Sequence, residues 1–235
     1  MKNIVFLTGA GISKDSGIAT FRDSKDGLWA NNKIEEICTP KALKKDPQKV
    51  LDFYNHRRKE IQQAQPNEAH YLIANLEKDY NVSIITQNVD DLHERAGSTH
   101  VIHMHGSIFE KVEDTDHYAI IESCYTDLSI NELSPNGHLW RPHVTFFSEN
   151  IKYRQEIIEA LSKVDMFVII GTSLQVSPAN QLHDYTPNEC LKFYIDPNAH
   201  RQFIPSIIMD NFIIFDKDAI DGLKYFIDNL GFKKF

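Results

Sequence analysis

Short apolar runs alternate with amphipathic stretches along most of the chain. The apolar runs predict strands at Ile4–Leu7, Val82–Thr86, Val101–Met104, Val144–Phe147, Met166–Ile170, Leu191–Ile195 and Phe212–Phe215. Helical spacing of the apolar positions predicts helices at Pro47–Gln63, Asn67–Asp79, Ile151–Lys163 and Asp218–Leu230. Strands that are apolar at nearly every position and separated by helices are typical of a parallel sheet covered on both faces. We therefore expect an α/β fold with a Rossmann-like, doubly wound parallel sheet.

Two polar stretches interrupt this rhythm. Asp23–Gln65 predicts a loop and helices without a strand, and Ser107–Trp140 is polar and irregular, with a turn signal at Pro135–Gly137. We expect both stretches to form a smaller lobe inserted into the sheet domain. The expected boundaries are 1–35, 68–106 and 141–235 for the Rossmann-like domain and 36–67 and 107–140 for the lobe.

Composition and charge narrow the possible functions. The 235 residues suit one large α/β domain with a small insert, and 33 acidic against 25 basic residues give a net charge of −8. This acidity argues against sequence-independent binding of nucleic acid or of an anionic membrane. The longest fully apolar run, Met166–Ile170, is far shorter than the roughly 18 residues of a membrane span. We expect a soluble, cytoplasmic protein with neither a direct nucleic-acid partner nor a membrane partner.

A glycine-containing turn follows the first predicted strand. Gly9 and Gly11 in such a turn let the backbone bend tightly and approach a pyrophosphate, which the next helix N-terminus favours. The third glycine of the usual dinucleotide fingerprint is replaced by Lys14. Taken alone, the pair is therefore equally compatible with a plain strand-to-helix turn.

Five motifs, in order along the chain, resemble the signatures of the sirtuin family. They are Gly9–Asp23 followed by Gly27–Trp29, Thr86–His93, His103–Ser107, Arg141–Glu149 and Gly171–Ala179. The resemblance implies an NAD-dependent protein-lysine deacylase that consumes NAD as a co-substrate, acts on acylated-lysine proteins or peptides, and releases nicotinamide and O-acyl-ADP-ribose. An NAD glycohydrolase, an ADP-ribosyltransferase or a non-catalytic NAD-binding module stays open as an alternative.

The resemblance also implies roles for single residues. His105 is expected to be the general base that takes a proton from the ribose hydroxyls, a task that suits a histidine that is neutral near pH 7. Asn88 is the second expected catalytic residue, although it could instead cap a helix. We expect strand alternation to point His103 to the opposite side, and we assign it no role. The expected NAD-binding residues are Gly9, Ala10, Gly11, Ile12, Ser13, Phe21, Arg22, Trp29, Gln87, Asn88, Val89, Asp90, Gly171, Thr172, Ser173, Asp196 and Ala219.

Asp196 ends a predicted strand, where an acid can accept hydrogen bonds from a ribose diol. The family usually has Asn two positions earlier, and this chain has Tyr194 there. The adenosine contact at that end is therefore left open.

The expected acyl pocket involves a predicted helix. Tyr54 and Arg57 lie three residues apart on one face, and they resemble the pair that marks sirtuins removing succinyl and malonyl groups. A guanidinium and a phenol hydroxyl can bind a carboxylate with directed hydrogen bonds. The alternative for two such residues is a solvated basic helix face.

Two loops, Thr145–Glu149 and Gln175–Pro178, match those that hold acyl-lysine peptides as an added strand in sirtuins. Thr145, Phe147 and Ser148 are the expected peptide contacts. Ser148 replaces the usual glycine and lacks its backbone freedom, which could alter the peptide preference.

The segment Ser107–Trp140 departs most from the family. Sirtuins usually place four cysteines of a structural zinc site there, but this segment has only Cys124, with His117 and His138 nearby. We expect no zinc. Either the lobe is flexible until substrate docks, or it is held by packing of Val112, Tyr118, Ile120, Ile121, Tyr125, Leu128, Leu133 and Leu139.

Overall fold

The computed structural model describes residues 1–19, 33–115, 119–199 and 211–230. The strands within these ranges are β1 (Asn3–Thr8), β2 (Asn81–Thr86), β3 (Val101–His103), β4 (Gly106–Glu113), β5 (Ile121–Ser123), β6 (Trp140–Val144), β7 (Met166–Ile170), β8 (Leu191–Ile195) and β9 (Ile213–Phe215). A parallel sheet has the order β3-β2-β1-β7-β8-β9, which is the Rossmann order. The expected α/β fold with a doubly wound parallel sheet is thereby confirmed.

The α-helices of the described residues are α1 (Ile34–Ile37), α2 (Pro40–Lys45), α3 (Pro47–Gln63), α4 (Glu68–Asn75), α5 (Leu92–Arg95), α6 (Arg154–Ser162) and α7 (Ala219–Leu230). Turns of 3-10 helix span Ala10–Ser16, Leu76–Lys78 and Ala179–Tyr185. Helix α3 has the predicted bounds because Asp46 accepts a hydrogen bond from the backbone of Lys49 and Pro47 occupies the first helical position.

The parallel sheet separates two hydrophobic clusters. Along β1, Val5 and Leu7 join the cluster beneath α6, whereas Ile4 and Phe6 join the cluster beneath α4 and α7. Successive side chains of a strand point to opposite faces, so a continuous apolar run is buried only when both faces are covered. On the second face, Phe226 of α7 meets Phe6 edge-on with ring centroids 6.2 Å apart.

A smaller antiparallel sheet, ordered β5-β4-β6, corrects two predictions. The stretch from Ser107 to Trp140 is not wholly irregular, because it contains most of β4 and all of β5. The strand predicted at Val144–Phe147 is misplaced, since β6 ends at Val144 and a turn follows. Antiparallel sheets can carry polar side chains on a solvated face, so the apolar runs that identify buried parallel strands are lacking here.

Helices α1 to α3 lie against this antiparallel sheet. A third cluster joins Ile37, Leu43 and Phe53 of the helical part to Ile108 and Phe109 of β4. The grouping suits the expected smaller lobe, whose boundaries stay a prediction.

The cysteine-poor segment is held only in part by the expected apolar packing. Val112 and Leu128 are buried, and Ile120 and Leu139 pack against a cluster formed with Leu51, Cys124 and Trp140. Three other residues expected to pack are largely or half exposed: Ile121 by 49%, Leu133 by 55% and Tyr125 by 62%, although the Tyr125 ring stacks on Phe109 with centroids 5.4 Å apart. Tyr118 and His117 lie outside the described residues.

Buried polar groups of α3 supply the rest of the support. The side-chain amide of Asn55 donates to the carbonyl of Leu128 and accepts from its backbone N–H, both at 2.8 Å. The guanidinium of Arg58 donates to Asn55 Oδ1 at 2.8 Å and to the carbonyls of Ile108 at 2.9 Å and Thr126 at 3.1 Å. These bonds satisfy the backbone of the 126–128 turn, which the sequence left without a predicted partner.

The described ranges contain neither a candidate metal-binding group nor a helix that could span a membrane. No group of three or more His, Cys, Asp or Glu side chains there could hold a metal ion. No helix there is both long and apolar enough to cross a membrane.

Candidate active site

Three loops meet at the carboxyl edge of the parallel sheet. Thr8 pairs in register with Thr86 and with Ile170, so β1, β2 and β7 end side by side. The loop after each strand carries expected NAD contacts, at 9–13, 87–90 and 171–173. The strand order reverses beside β1, and open α/β sheets bind ligands at that position.

The glycines of the first and third loops let their backbones cross. Gly11 N–H donates to the carbonyl of Gly171 at 2.8 Å. A Cβ on Gly9 would lie 2.6 Å from Thr172 Cβ, and one on Gly11 would lie 2.8 Å from Gly171 Cα. Gly171 has φ +66° and would place a Cβ 2.5 Å from the backbone nitrogen of Ile12. These glycines therefore have a role that sequence analysis did not assign, the close approach of two loops.

Asn88 joins the first and second loops. Its side-chain nitrogen donates to the carbonyl of Gly9 at 3.3 Å and to Ser13 Oγ at 3.2 Å. Its backbone N–H donates to Thr86 Oγ1 at 3.0 Å. The helix-capping alternative is not observed, because Asp91 is the residue at the N-cap of α5. The buried amide of Asn88 thus lies within the crevice loops.

Beneath these loops lies a buried polar cluster. Ser13 Oγ donates to Asp90 Oδ2 at 3.2 Å and lies 3.5 Å from His70 Nε2. Burial raises the pKa of Asp90 to about 6, and burial lowers the pKa of His70 to about 4. The ring of His93 is 4.9 Å from that of His70, and burial also holds its pKa well below the ordinary value. The two histidines are therefore neutral at pH 7.

Neither histidine of this pair, His70 or His93, is among the site residues expected from the sequence. His70 stands at the third position of α4, where its Nδ1 accepts from the backbone N–H of Asn67 at 3.3 Å. The spacing of Asn67 and His70 could have indicated the capping interaction, but not the contact of the ring with Ser13.

Gln87 has an unsatisfied side chain in the crevice. Its backbone N–H donates to the carbonyl of Thr8 at 2.9 Å. Its side-chain Nε2 is buried and has no hydrogen-bond partner among the described residues. A buried donor left unpaired costs about 1–3 kcal/mol, so an oxygen from a bound molecule would stabilise this position.

His105 is held as a neutral imidazole. Its Nδ1 lies 2.9 Å from the carbonyl oxygen of Gln87, and because a carbonyl only accepts, Nδ1 must carry the proton. Nε2 has no hydrogen bond to any described residue. Burial lowers the pKa of His105 despite the opposing effect of the Gln87 carbonyl. The ring therefore has a free basic nitrogen at neutral pH.

The expectation that His103 points away is wrong. Its Nδ1 lies 3.1 Å from the carbonyl oxygen of Asn88, and its Nε2 lies 2.6 Å from Glu94 Oε1. Residues two apart along a strand share a face rather than oppose each other. The rings of His103 and His105 therefore meet successive carbonyls of one loop.

The expected adenosine end lies along the outer strands. Asp196 follows β8, is buried, and accepts from the backbone N–H of Asn198 at 2.8 Å. Tyr194, which departs from the family pattern, donates its hydroxyl to the carbonyl of Thr172 at 3.0 Å. Ala219 is the first residue of α7. The expected contacts Phe21, Arg22 and Trp29 lie outside the described residues.

The expected acyl-binding pair lies on α3, but its two polar groups have separate partners. The hydroxyl of buried Tyr54 donates to Cys38 Sγ at 3.2 Å. The guanidinium of Arg57 donates to the carbonyl of Ala19 and to Glu60 Oε2, both at 3.2 Å. Only 14% of the Arg57 side chain is exposed, so the alternative of a solvated basic helix face does not fit.

The first expected peptide loop is joined to His105. The backbone N–H of Thr145 donates to the carbonyl of His105 at 2.8 Å, and Thr145 Oγ1 is buried without a partner in the described ranges. A turn closes where Glu149 N–H donates to the carbonyl of Phe146 at 3.0 Å. Ser148 lies in this turn with φ +78°. A non-glycine residue in the left-handed region costs roughly 1–2 kcal/mol. Ser148 nevertheless has this conformation, which glycine would adopt without strain.

Comparisons with known proteins agree with this geometry. A model of the Sir2 family matches residues 9–178. The NAD-dependent protein deacylase of Aggregatibacter actinomycetemcomitans is 49% identical over 201 residues, which cover 86% of this chain and 96% of that protein. The protein of the same name from Helicobacter pylori is 45% identical over 205 residues, which cover 87% of this chain and 89% of that protein.

A solved structure has a closely similar backbone. The crystal structure of a Sir2 homolog–NAD complex superposes with a TM-score of 0.83 and 34% identity, over 98% of this chain and 90% of that chain. The family match includes all three crevice loops and the whole of the segment 107–140 that lacks the cysteines. On this agreement of motifs, fold and relatives, the chain belongs to the Sir2 family.

Proposed function

We propose that this protein removes acidic acyl groups, succinyl and malonyl, as well as acetyl groups from lysine side chains. The coarser activity follows from the family and its relatives: the protein is an NAD-dependent protein deacylase, and NAD is its consumed co-substrate. The products proposed are nicotinamide, free lysine and O-acyl-ADP-ribose.

The residues of the crevice fit NAD. Two buried polar atoms, Gln87 Nε2 and Thr145 Oγ1, have no partner among the described residues. Both residues are hydrogen-bonded to His105. The Gln87 carbonyl accepts from the His105 ring, and the Thr145 N–H donates to the His105 carbonyl. These two unpaired atoms support the binding of polar reactants beside His105, since bound reactants can supply the missing partners. The acyl preference rests instead on Tyr54 and Arg57.

His105 is proposed as the general base. When NAD is bound, it supplies a ribose carbon that becomes electrophilic as its bond to nicotinamide breaks. His105 Nε2 takes a proton from a ribose hydroxyl, while the Gln87 carbonyl fixes the tautomer and the ring orientation. Asn88 and Asp90 are proposed to orient the ribose from the second loop, and Phe21 and Arg22 are proposed to contact the ribose and phosphates.

Tyr54 and Arg57 are proposed to bind the carboxylate of the acyl group. The Glu60 side chain is 41% exposed, so solvent weakens its ion pair with the largely buried Arg57, and a carboxylate entering the pocket can replace Glu60. The thiol of Cys38 is a weak acceptor, so the Tyr54 hydroxyl would form a stronger hydrogen bond by turning to a carboxylate. Burial raises the pKa of Tyr54 well above its ordinary value, which keeps the phenol a donor.

The peptide is proposed to bind as an added strand between Thr145–Ser148 and the second loop at 175–178. Phe147 and Val176 on the two loops are 43% and 45% exposed and are proposed to supply apolar surface beside the strand. We also propose a cytoplasmic location, because Cys38, Cys124 and Cys190 are free and buried, as expected in a reducing compartment.

Arg57→Met tests the acyl preference. Loss of the guanidinium should lower kcat/KM for a succinyl-lysine peptide by about 100-fold, corresponding to a charged hydrogen bond of roughly 1.5–3 kcal/mol. The value for the matching acetyl peptide should change less than about threefold, because a methyl group makes no such bond.

Lys59→Met is the control on the same helix, since Lys59 is half-exposed and pairs with Asp127 away from the crevice. Equal losses on both peptides in Arg57→Met would mean that Arg57 is structural. Nicotinamide release without loss of any acyl group would favour an NAD glycohydrolase.

A further inference from the structure

The second crevice loop is fixed through its backbone. Gln87 N–H donates to the carbonyl of Thr8, and the Val89 carbonyl accepts from Ile108 N–H at 3.0 Å. Between them, the carbonyls of Gln87 and Asn88 have no backbone donor among the described residues, and each is met by an imidazole. The two histidines therefore hold the backbone on either side of the Asn88 side chain, in addition to the bonds that Asn88 itself makes.

The two imidazoles differ in what binds their second nitrogen. His105 Nε2 has no partner in the described ranges, whereas His103 Nε2 lies 2.6 Å from Glu94 Oε1. The Asn88 carbonyl can only accept, so His103 Nδ1 carries a proton. An ionised Glu94 also only accepts, so Nε2 carries a second proton, and the short distance is typical of a charge-assisted bond.

We propose that His103 and Glu94 are a positioning pair, in which a protonated His103 imidazole holds the carbonyl of Asn88 and so keeps the Asn88 amide against Gly9 and Ser13. The proposal rests on the role proposed above for Asn88. Both ring nitrogens of His103 are engaged by the Asn88 carbonyl and Glu94, so its proposed effect on the reaction passes through Asn88, unlike that of His105.

The charges around His103 support its protonation. Burial alone would lower the pKa of His103, but Glu94 of α5, the carbonyl of Asn88 and nearby Asp90 outweigh it, so the pKa is raised. Glu110 of β4 and His93 of α5 also interact electrostatically with His103, and neither is hydrogen-bonded to it among the described residues. Acidic groups therefore predominate around the imidazole.

The pair makes the site sensitive to high pH. Once His103 loses a proton, its ring has one N–H left and cannot donate to both Asn88 and Glu94. A raised folded-state pKa means that the stabilising contribution is complete below the pKa of an unfolded histidine and is lost as pH rises through the folded value. The opposite shift of His105 keeps the base neutral over the same range.

Glu94→Gln tests this account. The amide oxygen can still accept from Nε2, but the negative charge is gone, so His103 should release its proton at lower pH. The alkaline decline of kcat/KM for NAD should move down by about 1 pH unit or more, the shift expected for loss of an adjacent opposite charge. The acid limb, set by His105, should stay in place.

Imidazole 15N NMR supplies a readout independent of activity. In the wild type, the His103 resonance should show loss of the second proton at a higher pH than in a free histidine, and in Glu94→Gln this loss should move to lower pH. Asp184→Asn is the control, because His183 and Asp184 form a histidine–carboxylate pair at 3.3 Å outside the crevice loops. Glu110→Gln should give a smaller shift than Glu94→Gln.

His103→Gln provides a second test if Glu94→Gln folds poorly. A glutamine amide can donate to the Asn88 carbonyl and does not titrate, so the alkaline decline should disappear while most of the neutral-pH activity remains. The proposal is overturned if wild-type His103 titrates at or below the pKa of a free histidine, or if neither variant moves the alkaline limb. Failure to desuccinylate would count against the proposed function but would leave this titration unchanged.

Discussion

The crevice and the antiparallel sheet are stabilised in different ways. In the crevice, the loops after β1, β2 and β7 bind one another through backbone groups, and a few side chains are left with polar atoms unpaired. In the antiparallel sheet, three backbone groups of the 126–128 turn are satisfied by Asn55 and Arg58 of α3, although Arg58 Nη2 has no partner among the described residues. The difference therefore lies in what the side chains bind: those of the crevice loops face one another around unpaired atoms, whereas Asn55 and Arg58 support the backbone of a turn. Substitutions should accordingly affect activity in the first region and stability in the second.

His105→Ala should give the largest change. Loss of a general base lowers turnover by about 10²- to 10⁴-fold, while NAD affinity and the unfolding midpoint should stay close to the wild-type values. Single-turnover nicotinamide release and calorimetric titration of NAD would measure the two effects separately.

His100→Ala is the matched control, since His100 is exposed beside β3 and its side chain is hydrogen-bonded to Ser83. If the His105→Ala variant stayed fully active, His105 would not be the general base.

Asn55→Ala should mainly affect stability. It leaves the N–H and carbonyl of Leu128 and part of the Arg58 guanidinium without partners, so the free energy of unfolding should fall by about 2–4 kcal/mol. Urea unfolding followed by fluorescence would measure this loss.

Gln62→Ala, on the same helix, removes one exposed hydrogen bond to the carbonyl of Tyr125 and should cost less than about 0.5 kcal/mol. Equal values for the two variants would mean that the buried bonds do not hold the turn.

Ser148→Gly should have the smallest effect. Glycine relieves the left-handed strain at φ +78° but gains freedom in the unfolded chain, so a net stabilisation of up to about 1 kcal/mol is expected. Ser148→Ala keeps the strain and should not stabilise. If alanine stabilised as much as glycine, the side chain rather than the backbone would be responsible.

The sequence predicted the parts of this molecule whose patterns are local. Runs such as Met166–Ile170 identify buried parallel strands, and the ordered motifs point to Asn88 and His105, whose catalytic roles stay predictions. The structure adds that Gly9, Gly11 and Gly171 serve a backbone crossing, which depends on two loops distant in the chain.

The remaining features depend on long-range contacts or on weak patterns. Strand β4 alternates polar and apolar positions irregularly, so periodicity did not reveal it. Asn55 and Arg58 bind a turn about 70 residues away in the sequence, and no spacing rule connects them. His103 was misplaced by an incorrect application of strand alternation, and its partner Glu94 lies on a different element.

The most direct test of the account is the fate of a succinyl-lysine peptide incubated with the wild-type protein and NAD. Mass spectrometry should find the peptide lighter by one succinyl group, with one nicotinamide released for each peptide converted and no conversion without NAD. Stoichiometric nicotinamide release with an unchanged peptide, or peptide conversion that does not require NAD, would contradict it.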